Sequence, residues 1–282
     1  MIGDLHTHTT FSDAACDIET LPWLAGRAGL THLAVSDHDT LLAVDYALAH
    51  PVEQGVTLIP ATEITCFDKV HGHRAHILCY CPRRTQALVD FCALMAKRRN
   101  EANEISLQKL QKLYPQFDAA RARQYAQRSG VLYKPNLMRV LMDFGYTADM
   151  YGDLYHELFG AKDGKVVQSI QYEPIDDVLH MIAQAGGVAV QAHPSVYHSM
   201  ELAQALAQAG KIDGVEINHP RNTPQDKEAL CKLAKEYNLI VTGGTDFHGM
   251  YSARPLPLGT KEYTTNETNI QRILALAKAR KE

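Results

Sequence analysis

Two histidines separated by one residue stand at the head of this chain, in Asp4-Leu5-His6-Thr7-His8, and Asp246-Phe247-His248 repeats the spacing near the far end. On a strand, side chains two apart share a face, so His6 and His8 point the same way. Two such pairs at opposite ends of 282 residues make chemical sense if one site is assembled from the ends of several strands. The motif therefore constrains chemistry and fold together.

The pattern between the pairs agrees. Residues 1–8 read as a strand. Residues 18–28 read as a helix, with Asp17 as its cap and Gly29 just past its end. Strands follow at 31–36, which leads into Asp37-His38-Asp39, at 56–65, carrying Glu63, and at 74–81, carrying His76. From about residue 85 to 157 the reading turns helical: a long amphipathic stretch at 88–113, then 118–128 capped by Asp118, 136–144 capped by Asn136, and 148–159. Alternation resumes afterwards. Helices at 175–185, 200–209, 224–237 (capped by Thr223) and 269–279 alternate with strands at 188–191, 214–218 and 239–243. Repeated β-α units imply a parallel sheet, and this many imply a barrel. The expected organisation is an α/β barrel from residues 1–82 and 166–282, interrupted by a helical insertion at 83–165.

In such barrels the active site lies at the carboxyl ends of the strands. His6, His8, His38, Glu63, His76, His193, His219, Asp246 and His248 all fall at or just beyond expected strand ends. The chain has 14 histidines, and a structural role for each of these separately does not account for so many at one rim. Imidazoles and carboxylates without a thiolate suit Mn²⁺, Fe²⁺ or Zn²⁺ in a reactive site, not a cysteine-rich structural zinc site. A carboxylate such as Glu63 can bridge two metals, and a metal pair roughly 3.5–4 Å apart can clamp both oxygens of a phosphoryl displacement. Six scattered cysteines without a CxxC pair read as reduced thiols. A net charge of −4 argues against a broadly basic nucleic-acid surface. There is no signal-peptide pattern and no run long enough to span a bilayer, so a cytoplasmic protein with no membrane contact and no implied protein partner is expected.

Asp-Leu-His-x-His, Ser36-Asp37-His38-Asp39, Glu63, Ala192-His193-Pro194 and Gly244-Thr245-Asp246-Phe247-His248, in this order, resemble the polymerase-and-histidinol-phosphatase (PHP) family. The resemblance implies a distorted (β/α)7 barrel with a helical cap and three divalent metals, most simply Mn²⁺. His6, His8, Glu63 and Asp246 would hold the first. Glu63 would bridge to a second completed by His76 and His193, and Asp13, His38 and His248 would hold the third. Asp246, His193 and His219 would take the catalytic roles. Arg98-Arg99-Asn100-Glu101 and Lys134-Pro135-Asn136 resemble a nucleotide-processing subfamily, with Lys134 where relatives have Arg and Asn136 where they have His. Arg99, Lys134 and His219 are the implied substrate contacts. The implied reaction removes the 3′-phosphate of a 3′,5′-bisphosphonucleotide, taking adenosine 3′,5′-bisphosphate to AMP and phosphate. The alternatives are a 5′-to-3′ exoribonuclease on short RNA, a histidinol-phosphate phosphatase, and a non-catalytic module. Asp37 and Asp39 could each orient a ligand histidine or tie down a loop. Ordinary helix-surface behaviour for Arg99 would be an ion pair with Glu101 or Glu104. Tyr125, Tyr133, Tyr146, Tyr151 and Tyr155 could stack on a base, although core packing is their default.

Overall fold

A computed structural model describes residues 2–252 and 256–282; residue 1, included in the first expected strand, lies outside them. Strand β1 (Ile2–Thr7) is followed by a 3-10 turn at Ile18–Thr20, α1 (Leu21–Arg27), β2 (His32–Val35), α2 (Leu42–Ala49), β3 (Val52–Glu53), β4 (Val56–Leu58), β5 (Ala61–Asp68) and β6 (His73–Tyr80). Helices α3 (Gln86–Leu113), α4 (Ala119–Tyr125), α5 (Lys134–Asp143) and α6 (Asp153–Phe159) come next. The remainder is α7 (Ile175–Gln184), β7 (Val188–Gln191), α8 (Met200–Gln208), β8 (Gly214–Asn218), α9 (Pro224–Glu236), β9 (Ile240–Gly243), β10 (Thr265–Asn266) and α10 (Glu267–Ala279).

The strands form two five-stranded sheets, ordered β10-β1-β2-β4-β3 and β5-β6-β7-β8-β9. Bridges between His38 and Glu63 and between Thr7 and Phe247 join the sheets along two seams. The stretch expected as one strand at 56–65 crosses from one sheet to the other. It breaks at Pro60, which has no N–H for a ladder bond. The expectation of parallel pairing holds for β1-β2-β4 and β7-β8-β9. It fails at β6, which runs antiparallel to both β5 and β7. A short β5–β6 connection through the φ-positive Gly72 makes the hairpin. This antiparallel centre is the distortion in the α/β barrel.

Local chemistry also moved several helix ends. Asp17 does not cap through its side chain; it accepts from the Thr10 hydroxyl and pairs with Arg128 instead. Helix α5 begins at Lys134, with Pro135 in its first turn, where a missing N–H does no harm. Asn136 therefore sits inside the helix, and its side-chain oxygen accepts from the Tyr133 N–H at 2.7 Å. Helix α2, absent from the sequence reading, has a weakly amphipathic sequence, with Ala43, Val44 and Ala47 buried.

The four helices α3 to α6 stand between β6 and α7 and pack largely on one another. Leu107, Leu110, Phe117, Leu137, Leu141, Leu158 and Phe159 form their core, which Tyr251 joins from the barrel side. The first turns of α3 belong elsewhere: Leu88, Phe91 and Met95 are buried in the barrel core with Ile64, Ile77 and Ile182. One long helix thus roots the insertion in the barrel. No helix among the described residues is long and apolar enough to cross a membrane.

Candidate metal centre

Glu63 is the hub of the site. It lies on β5, fully buried, and imidazoles from five elements or loops face its two oxygens. Oε1 is 2.7 Å from His76 Nδ1 and 2.9 Å from His193 Nε2. Oε2 is 3.1 Å from His38 Nδ1, 3.2 Å from His6 Nε2 and 3.3 Å from His8 Nε2. Burial opposes its ionisation, but His76, His6 and His38 outweigh that and hold the carboxyl well below the usual range. Asp246, on the loop after β9, faces the other side of the pair: Oδ1 is 3.2 Å from His8 Nε2 and 3.6 Å from His6 Nε2. Asp13 closes a further corner, 3.3 Å from His248 Nε2 and 3.9 Å from His38 Nε2.

The strand register explains how these groups meet. His6 and His8 share a face of β1 and its extension, as their spacing requires. Thr65 lies opposite His76 across the β5–β6 hairpin, so Glu63 and His76 face the same interior. Three residues at the rim have backbones in the left-handed region: Asp39 (φ 50°), His193 (φ 26°) and Asp246 (φ 50°). Such conformations are costly for non-glycine residues and persist where the surroundings over-determine them. Before Asp246 the chain passes against β1 so closely that a Cβ at Gly244 would collide with the backbone of His6. That contact brings the two ends of the sequence into one site.

Buried polar partners orient the ring nitrogens. His6 Nδ1–H donates to Glu216 at 3.0 Å and His248 Nδ1–H to the Asp246 carbonyl at 2.8 Å. In each ring Nε2 faces carboxylates, and a neutral ring so held would offer a lone pair to a metal, the arrangement in which a carboxylate or carbonyl backs a metal-ligating histidine. Glu216 also accepts from the His193 backbone N–H at 2.9 Å. Sequence reasoning missed Glu216; its signal was a lone carboxylate within the apolar strand 214–218. His219 carries the opposite tautomer. The Arg221 backbone N–H donates to its Nδ1 at 3.1 Å, which leaves the proton on Nε2, 3.4 Å from Asp246 Oδ2. His219 is thus built as a hydrogen-bond donor at the rim, and burial lowers its pKa and keeps it neutral.

The donor set fits divalent cations. His6 Nε2, both nitrogens of His8, His38 Nδ1, His193 Nδ1 and His219 Nε2 are buried without a hydrogen-bond partner among the described residues. Leaving a buried polar atom unpaired costs about 1–3 kcal/mol each, so such a cluster is stable only if something else engages it. Five overlapping groupings among the described residues could each hold an ion: His6, His8 and Asp246; His6, Glu63 and His193; His38, Glu63 and His76; His8, Asp13, His38 and His248; and His6, Glu216 and His219. Burial works to lower the His8 pKa, but Asp246 and Glu63 lift it to about 10. This electrostatic demand for positive charge is one a cation would meet.

The two aspartates flanking His38 separate. Asp37 ties a loop, accepting from the Thr9 N–H at 2.8 Å and from the hydroxyls of Thr9 and Ser12. Asp39 accepts from the Thr65 N–H at 2.7 Å and pairs with Arg99. Arg99 therefore takes Asp39 as its partner, not Glu101 or Glu104, and it also donates to Thr65 Oγ1 at 3.0 Å. Its buried Nε has no partner. Tyr133 lies under Arg99 with its ring 5.3 Å from the guanidinium, and its hydroxyl donates to the His38 carbonyl at 3.1 Å. It serves as a strut on the His38 loop. Lys134 is half-buried over Phe159, and burial, with Arg74 and Arg99 nearby, lowers its pKa to about 8.

The chain is similar to known proteins over most of its length. The PHP domain model matches residues 4–193. A phosphoribosyl 1,2-cyclic phosphate 1,2-diphosphodiesterase of Eggerthella lenta is 32% identical over 90% of this chain and 97% of its own length. The 5′-3′ exoribonuclease Rnm of Escherichia coli is 29% identical over 88% of this chain and 85% of its own. A 3′,5′-nucleoside bisphosphate phosphatase of Chromobacterium violaceum is 26% identical over 87% and 86%. A crystal structure from Bifidobacterium adolescentis, assigned to the metal-dependent phosphoesterases, superposes with a TM-score of 0.87 at 27% identity, covering 97% of this chain and 96% of that one. A chain with this rim of histidines and carboxylates, matched over most of its length, belongs to the PHP domain family of phosphoesterases.

Proposed function

We propose that the protein hydrolyses a phosphoester on a ribose that carries a second phosphate. The observation that carries this is the set of partnerless imidazole nitrogens around Glu63, with the cations Lys134 and Arg99 beyond them. The names of two relatives support it, since a phosphoribosyl cyclic phosphate and a nucleoside 3′,5′-bisphosphate each place two phosphates on one sugar. Phosphoribosyl 1,2-cyclic phosphate comes first because identity and coverage are higher for that relative. A 3′,5′-bisphosphonucleotide losing its 3′-phosphate comes second.

Three divalent ions, Mn²⁺ most simply, would be held by His6, His8, Glu63 and Asp246; by Glu63, His76 and His193; and by Asp13, His38 and His248. Bound there, such ions would lower the pKa of water and neutralise charge on the phosphoryl oxygens. The protein's own groups do the rest. Asp246 is held ionised, since His248 and His6 outweigh the opposing effect of burial. It accepts a hydrogen bond from the attacking water and orients it toward phosphorus. As the water oxygen bonds to phosphorus, the P–O bond to the sugar breaks. His219, a neutral imidazole, donates a hydrogen bond through Nε2–H to the departing sugar oxygen without giving up its proton; the attacking water releases a proton to Asp246, and the sugar oxygen takes one up from solvent. Lys134 and the free edge of Arg99 hold the non-reacting phosphate, and Tyr133 keeps the His38 loop in place.

The test is a kinetic panel with Mn²⁺ containing phosphoribosyl 1,2-cyclic phosphate, adenosine 3′,5′-bisphosphate, a 5′-phosphorylated trinucleotide and histidinol phosphate. The expected result is the highest kcat/KM on one of the first two. A generic aryl phosphate turned over as well as either would overturn the reading, and higher kcat/KM on the trinucleotide would move it to an exonuclease.

A further inference from the structure

Arg74 stands two residues before His76 on β6, so the two side chains share a face of the strand. Its guanidinium lies 5.1 Å from the ring centre of Tyr197 and 5.7 Å from that of Tyr172, whose hydroxyl it reaches at 3.5 Å. Tyr197 in turn touches the ligand cluster: its ring is 4.8 Å from His76 and 5.9 Å from His193. Arg74 therefore sits one ring outside Glu63. Tyr172 has a second cation against it, since the Arg99 guanidinium is 5.8 Å from the same ring centre. Lys134 is close enough to both arginines for their charges to lower its pKa.

Three cations thus converge on one side of the rim, and the carboxylate among them, Asp39, is engaged by Arg99. Among the described residues Arg74 forms no ion pair, and its side chain is exposed. The two tyrosine faces hold the guanidinium plane while its N–H edge stays open. An Arg fork is the side chain whose geometry best matches two phosphate oxygens.

We infer that Arg74 is the specificity-determining contact for the non-reacting phosphate, gripping it beside Lys134. This rests on the proposed two-phosphate ribose substrate. Arg74 takes no part in bond breaking. It sets which sugar phosphates are held long enough to react, and the phosphate it recognises is a terminal dianion on the ribose, not the ester undergoing attack.

The experiment compares substrates that differ only in that group: phosphoribosyl against ribosyl 1,2-cyclic phosphate, and adenosine 3′,5′-bisphosphate against adenosine 3′-monophosphate. Arg74→Ala should lower kcat/KM on the two-phosphate member of each pair by about tenfold or more, chiefly through KM, the scale of one charge-assisted hydrogen bond. It should change the one-phosphate member less than about twofold, and Arg74→Lys should restore part of the difference. Equal losses on both members, or unchanged discrimination, would overturn the inference. Titration of ribose 5-phosphate into the metal-free protein separates this result from the fate of the proposed function. Binding weakened about tenfold by Arg74→Ala supports the grip even if no panel substrate is turned over. Equal affinity, or no binding by the parent protein, removes it.

Discussion

The barrel rim and the helical insertion treat charge in opposite ways. At the rim, charge is buried and crowded: Glu63 and Asp246 sit among imidazoles, several of whose nitrogens have no hydrogen-bond partner among the described residues. In the insertion the charge facing the barrel is cationic, from the buried Arg99 to the half-buried Lys134, and polar contacts tie the insertion to the barrel. These are Arg99 to Asp39, Tyr133 to the His38 carbonyl, Arg98 to Glu173, and Arg128 to Glu19 and Asp17. The difference teaches a division of labour. On the proposed function, the rim built from strand ends would determine the kind of chemistry, and the insertion, which α3 roots in the barrel core, would determine the substrate. Each prediction below changes one region and asks whether the other responds.

The largest effect is expected at the hub. Glu63→Gln removes the carboxylate that five histidines share, and should lower kcat by about a thousandfold or more on every substrate. It should also reduce the divalent metal bound per chain, measured by elemental analysis. Full metal content with normal kcat would show that Glu63 is not the bridge. Next comes Glu216→Ala, which leaves His6 Nδ1 without its acceptor. Metal affinity or activity should fall about 10–100-fold, with KM for the second phosphate unchanged, because the change lies wholly within the rim.

Lys134→Ala should raise KM about tenfold on two-phosphate substrates with kcat nearly constant. A pH profile sharpens this. Burial, then Arg74 and Arg99, lower the Lys134 pKa to about 8, so its ammonium is present at neutral pH and is lost as pH rises through that value. KM for the second phosphate should rise between pH 7.5 and 9 by about the factor that the charge contributes. Lys134→Arg keeps its charge and should flatten the profile. A rise that persists in Lys134→Arg would assign the titration to the rim.

How far the sequence announced these two regions follows from the range of the signals involved. His6 and His8 were legible because period-two spacing places both on one face whatever surrounds them. Asp246 and His248 were legible as a ligand pair just past an expected strand, although they stand on the loop after β9 with Asp246 in the left-handed region, and Gly244 is what brings them against His6. The antiparallel β6 was not legible: residues 73–80 look alike in either direction, and the hairpin depends on how the connection at Gly72 turns. Glu216 was hidden because a carboxylate in a strand discloses its partner only when β1 and β8 meet across the barrel. Arg99 was placed near the substrate, yet its attachment to Asp39 joins residues 60 apart and could not be read from helix spacing, which offered Glu101 and Glu104. Asn136 looked like a cap because Asn is a good one. Pro135 instead favoured starting the helix at Lys134, which turned that side chain to the Tyr133 N–H.

The smallest effect tests the attachment itself. Arg128 lies between α4 and α5, stacks at 5.0 Å on the ring of Phe11, and donates to both oxygens of Glu19, at 2.7 and 2.9 Å. The segment it grips contains Asp13, one of the carboxylates facing His248. The pair is solvent-exposed, so screening limits it to about 1 kcal/mol at most, and Arg128→Ala should shift Tm by only a few degrees. If the insertion determines substrate without supporting the rim, metal content should stay at the parent level while kcat/KM falls about two- to threefold, more at high salt in the parent than in the variant. Loss of one metal equivalent in Arg128→Ala would break the division. It would mean that the insertion holds the Asp13 corner together, and that the two regions act as one site.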